Sequence, residues 1–174
     1  MPHIRILLLF LTLFSLSSCL TIGYQQPQPT GGKNLKEFPS SLIGKYSQEP
    51  GDKKADVEVR LHSVIFEDEE LLGEGEISLS DTLLLRKYKK FYIVNWYDSK
   101  NACWVAHPFK YNESKLYLYS FNLGKDEAES QLSAYTPIVR KGSELLVINP
   151  TRKEFKRMLR AGSLWEVEVL HREN

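Results

Sequence analysis

FYIVNWYDSKNACWVAHPFKYNESKLYLYSF, Phe91 to Phe121, decides the fold of this chain. Its three apolar runs are separated by Asp98-Ser99-Lys100-Asn101 and Tyr111-Asn112-Glu113-Ser114, two clusters of turn formers. Asp, Asn and Ser side chains bond nearby backbone, so such clusters between β-branched and aromatic runs mark hairpins. In Lys115 to Phe121, Leu116 and Leu118 fall on one face and Tyr117, Tyr119 and Phe121 on the other, because side chains alternate along a strand. Both faces are apolar or aromatic, and Phe91 to Tyr97 has the same two-sided character. These strands are therefore expected to be covered on both sides or to line a cavity.

Outward from this centre the dominant period remains two. Val57, Val59 and Leu61 alternate with Glu58, Arg60 and His62, and Trp165, Val167 and Val169 with Glu166 and Glu168, the pattern of half-buried strands. Further strands are expected at 43–47, 75–79, 83–87, 103–109, 135–139 and 145–148, with turns at Glu49-Pro50-Gly51-Asp52 and Lys141-Gly142-Ser143. The sum is a mostly β domain over residues 41–174, an antiparallel barrel or sandwich of about eight to nine strands. One late helix interrupts it at about 151–161. Thr151 and Glu154 have capping-box spacing, which satisfies two free backbone donors reciprocally. Phe155, Met158 and Leu159 form one apolar stripe, and Gly162 follows as a stop. The polar segment 124–134 fits either a short helix or a loop.

The amino terminus has a different composition. Apart from Arg5, the 13 residues from Ile4 to Leu16 are almost continuously apolar, shorter than the roughly 20 that span a bilayer. This is the three-part layout of a secretory signal, and residues 1–18 are set aside from the fold. Leu16-Ser17-Ser18-Cys19 resembles the lipobox of bacterial lipoproteins: an aliphatic residue, two small residues, then cysteine. The resemblance implies lipidation of Cys19, cleavage just before it, and acyl chains that hold the protein to a membrane. Leu20, where an inner-membrane lipoprotein often has aspartate, implies the periplasmic face of the outer membrane of a Gram-negative bacterium. Residues 19–40 then read as the anchor and a flexible tether, since QQPQPTGG is rich in Gln, Pro and Gly and lacks apolar periodicity.

Charge narrows the function classes. The chain carries 23 basic and 22 acidic residues, and nucleic-acid binders normally show a basic excess, so nucleic acid is not an expected partner. The acidic run Glu67 to Glu70 lacks the alternating aspartates and glycine of a calcium loop and reads as a solvated turn. Cys103 and His107 stand four apart in a stretch that reads as strand; there they lie about 13 Å apart, too far to share an ion. Arg152, Lys153, Lys156, Arg157 and Arg160 surround the stripe of the late helix, as a solvated face or one turned to anionic headgroups. No serine-nucleophile elbow, HExxH or phosphate-binding glycine loop occurs. No catalytic constellation, cofactor or metal site is therefore assigned.

Gly44-Lys45-Tyr46 resembles the opening strand of lipocalin-like barrels, with Tyr46 where those have tryptophan. Phe91 to Asn95, Trp104 and Pro150 to Phe155 extend the likeness to small lipoproteins of Bacteroidota, a group that brings no known activity with it. The resemblance implies a lipocalin-like binding domain. Tyr92, Trp96, Trp104, Tyr117, Tyr119 and Phe121 are its candidate pocket for a small apolar ligand. The alternative is a structural or assembly partner in the envelope with a filled core.

Overall fold

The structure, a computed structural model, describes residues 20–50, 55–66 and 75–173. The signal segment, Cys19 and the acidic run 67–70 lie outside the described residues. Among the described residues thirteen strands form one sheet: β1 (Thr21–Tyr24), β2 (Asn34–Leu35), β3 (Gly44–Ser47), β4 (Val57–Val59), β5 (Ser63–Phe66), β6 (Gly75–Ser78), β7 (Leu83–Tyr88), β8 (Phe91–Asp98), β9 (Cys103–Asn112), β10 (Lys115–Phe121), β11 (Ile138–Lys141), β12 (Leu145–Ile148) and β13 (Trp165–Arg172). Two α-helices accompany them, α1 (Lys125–Ser133) and α2 (Arg152–Met158).

The quoted stretch is the centre of that sheet. β8, β9 and β10 pair antiparallel in sequence, with Tyr92 opposite Phe109 and Phe109 opposite Leu118. β9 is long enough to serve two neighbours on one edge: Trp104 pairs with Tyr24 of β1, while Phe109 to Asn112 pair with β10. From that split one arm runs β1-β12-β11, and the other curls through β10-β13-β3-β4-β5-β6. β7 and then β2 continue from the far edge of β8. All ladders are antiparallel except β1 with β12. The mostly β expectation holds, and the sheet is a curled half-barrel.

Two-sided strands have two cores. On the inner face Tyr46, Val57, Val59, Val64, Leu85, Phe109, Leu116 and Leu170 pack with Phe38 and Leu42. On the outer face Ile22, Tyr24, Phe91, Ile93, Leu146 and Ile148 meet Ala128 and Leu132 of α1 and Phe155 and Met158 of α2. At about 1.5–3 kcal/mol per fully buried large apolar side chain, neither face is dispensable. Both clusters are built wholly from residues 22–170. Two buried aromatic tips are satisfied locally, Tyr46 Oη donating to Leu42 O at 2.9 Å and Trp165 Nε1 to Met158 O at 2.7 Å, as is usual for amphipathic aromatics inside a core, whereas Tyr24 Oη is buried without a partner among the described residues. The capping box forms as expected, Thr151 N donating to Glu154 Oε2 at 2.8 Å and Glu154 N to Thr151 Oγ1 at 3.3 Å. α2 packs on the outside of the sheet, Phe155 edge-on to Tyr24 at 6.1 Å between centroids. Segment 124–134 resolves as α1.

Several expectations change. The strand expected over 57–61 stops at Val59; the chain turns through Arg60 to His62, where Leu61 is 44% exposed, and β5 follows. The strand expected over 135–139 begins at Ile138. The largest correction concerns the tether. Residues 20–40 are folded into the domain: Thr21 N donates to Glu144 O at 2.7 Å, β1 lies between β12 and β9, and Tyr24 and Gln28 are fully buried. Gly23 is what allows this, because a Cβ there would stand 2.5 Å from Cys103 Sγ. The Pro-rich piece bends and closes a turn, Gly32 N donating to Pro29 O at 2.8 Å, and its backbone is held largely by side chains. Asn95 brackets Gln28, and Arg86 donates to Pro27 O, Pro29 O and Asn34 Oδ1.

Candidate functional site

The curl of the inner face leaves a cavity of about 140 Å³. Its walls alternate in register. Val57, Val59, Val64 and Phe66 come from the β4–β5 hairpin, Val94 and Trp96 from β8, His107 and Phe109 from β9, and Leu116 and Leu118 from β10, with Phe38 across them. Tyr119 reaches its edge. Three polar side chains interrupt the apolar lining: His107, Ser120 and Glu168. Glu168 of β13 stands opposite Leu118 of β10, and Gln48 Nε2 donates to its Oε1.

The sequence-derived aromatic set does not converge on this space. Trp96 lines it, stacked on the imidazole of His107 at 4.5 Å and 9°. Tyr92 is on the same face but is spent against Phe109, 5.5 Å away and nearly parallel. The other four belong to the outer face. Trp104 lies against Tyr97 at 5.3 Å, and Phe121 stacks on Trp165 at 4.4 Å. Tyr119 meets Phe91 and Trp165 edge-on and accepts a hydrogen bond from Lys110 Nζ. Tyr117 borders an open depression with Lys90, Lys110 and Asn112. A strand with two aromatic faces serves two layers, so residues two apart stay together and neighbours separate.

The residues that do line the cavity were legible only as strand-facing aliphatics: Val57 and Val59 by alternation, Leu116 and Leu118 by their shared face. In the sequence His107 stands out only by its spacing from Cys103. The two serve different surroundings, since Cys103 packs with Leu145 and Val147 and burial pushes its thiol up. Among the described residues no group of three His, Cys, Asp or Glu side chains is placed to hold a metal. No family model, curated protein or solved structure matches this chain.

The site is thus read from its own geometry. His107 also borders the cleft where β1 and β10 diverge, with Leu20, Phe121 and Trp165. Burial pushes its imidazole down to about 4, so it is neutral at pH 7. A neutral imidazole offers one donor and one acceptor. Because the unfolded chain binds a proton near pH 6.5 and the folded chain does not, stability falls as pH drops from about 6.5 to about 4, by about 3 kcal/mol at most. The ring surface open to the cavity, where Glu168 and Tyr119 also stand, reduces that figure. In urea titrations the stability advantage of wild type over His107→Gln should shrink between pH 7 and pH 4.5. An advantage independent of pH would show that the imidazole is not buried neutral.

Proposed function

We propose that this chain is a lipid-anchored envelope protein whose half-barrel holds a small apolar ligand in its inner cavity, in the manner of a lipocalin-like binding domain. The observation that carries the ligand reading is the cavity itself, apolar on nearly every wall. An apolar cavity of about 150 Å³ takes up a benzene-sized molecule, whereas sites for drug-sized ligands begin near 300 Å³. The ligand is therefore small, or inserts one end only.

The anchor half of the proposal rests on Leu16-Ser17-Ser18-Cys19 and Leu20, with the periplasmic face of the outer membrane as the location. Partners on this reading are the membrane, through acyl chains on Cys19, and the ligand. The alternative role as an envelope assembly partner draws less support. Among the described residues the large apolar side chains that remain exposed, Leu61, Tyr97, Val139 and Val167, fall on one turn and three different strands, and single exposed apolar residues are ordinary.

Native mass spectrometry of the protein purified from its own envelope tests the ligand directly. A retained small mass is expected in wild type and should be lost from Val94→Phe, which fills the cavity. Repeated preparations without bound mass would leave the cavity an unfilled packing defect and favour the assembly role.

A further inference from the structure

We propose that the ligand is a short amphiphile with a protonated amine as its head, seated at Glu168, and that the cavity rejects the matching carboxylate. This rests on the cavity reading above and names the chemistry it selects.

The argument comes from which charges the lining has and lacks. Lysine and arginine make up 23 residues of the chain, yet among the described residues none lines the cavity, and Glu168 is the one acidic side chain that does. Glu166, two residues earlier on β13 and opposite Ser120, is exposed and does not line the cavity, so of the described residues Glu168 alone supplies the carboxylate there. Among the described residues, the donor to Glu168 is the neutral Gln48 amide, which leaves the negative charge in place. Glu168 is only partly buried, so an ammonium can reach it without crossing the apolar interior. Phe66, Trp96 and Phe109 supply aromatic surface to the same space, and ring faces attract cations. Among the described residues of the lining, a carboxylate head would meet no cation, one acidic side chain and the negative faces of those rings. His107 adds no charge to offset this, since its imidazole is held neutral.

Hexylamine, hexan-1-ol and hexanoate share one apolar body and differ in head. Each is titrated at pH 7 into residues 19–174 carrying Cys19→Ser, which contain both cores. Binding is read by calorimetry and by the shift of the Trp96 indole N–H, assigned with Trp96→Phe. Hexylamine is expected to bind at least about tenfold more tightly than hexanoate, the scale of one charge-assisted hydrogen bond. Glu168→Gln should bring the two close to equal while hexan-1-ol binding is kept. Wild-type binding of hexanoate as tight as hexylamine overturns the inference, as does a preference unchanged in Glu168→Gln. Failure of all three probes to bind overturns the cavity reading itself; hexan-1-ol binding without amine preference overturns only the inference.

Discussion

Replacing Asn95 by alanine should lower stability by about 3 kcal/mol and free the segment that crosses the outer face of β7 and β8. Asn95 is fully buried. Its Oδ1 accepts from Gln28 N at 2.6 Å, and its Nδ2 donates to Gln28 O at 2.9 Å and Ile93 O at 3.3 Å. The side chain therefore does for Gln28 what a neighbouring strand would do, pairing both its backbone groups. Alanine leaves that N–H and C=O buried without partners, at about 1–3 kcal/mol each. At roughly 2–4 °C per kcal/mol for a domain of this size, the melting temperature should fall by about 6–12 °C. Asn95→Asp keeps an acceptor for Gln28 N but removes the donor and buries a charge, so it should not rescue the loss. Amide exchange locates the effect: residues 25–32 should exchange quickly in Asn95→Ala while β9 and β10 stay protected. Unchanged protection there would mean that the segment is held by Arg86 and packing alone.

The same contact explains why the fold of the amino-terminal part is hidden in its sequence. A strand is visible in sequence when its own ladder imposes alternation over several residues. β8, β9 and β10 are seven to ten residues long with turn formers between them, and they form as expected. β1 is four residues long. Leu20, Ile22 and Tyr24 do alternate toward the outer core, but the glutamines and prolines that follow conceal it. QQPQPTGG has no ladder to reveal, because its partners are side chains 59 and 67 residues away, and single distant hydrogen bonds leave no local periodicity. The one sign in the sequence is Asn95 itself, a polar side chain in a two-sided apolar strand, where a buried polar group needs a partner.

For the site, the sequence could show that the central strands carry aromatics on both faces but not how the layers divide them. That division follows from the sheet splitting at β9, where β1 takes one end of the edge and β10 the other. The split sends Trp104 and Phe121 to the outer core with α1 and α2 and leaves Trp96 beside His107 within. Glu168 was visible as the polar member of an alternating strand, which ordinarily points to solvent. Here its face is the inner one, because Leu170, two residues on, anchors β13 in the inner core.

Cys19→Ala should abolish partition of the protein with membranes, the largest effect expected of any single substitution. Each buried methylene contributes about 0.8 kcal/mol, so one acyl chain binds reversibly and two or three hold essentially permanently. On the proposed reading, removing the thiol removes the attachment point of the diacylglyceryl group and with it the cleavage that frees the amine. Wild type should therefore fractionate with detergent-extracted membranes, and Cys19→Ala as an unlipidated precursor that does not enter that fraction as an acylated species. Processing and partition like wild type would end the lipoprotein assignment. The folded amino terminus sharpens what anchoring would mean. Leu20 already packs against the outer core and Thr21 is bonded to Glu144, so a lipid on Cys19 would be separated from the domain by about one residue, roughly 3.5 Å of chain. The domain would ride on the bilayer with the β1 side of the sheet toward it, instead of ranging on a tether. A flexible 20-residue Gly-Ser insertion between Cys19 and Leu20 should keep membrane partition intact while making the domain more accessible to protease and to surface probes. Equal accessibility in the two proteins would show that the short connection does not set the distance.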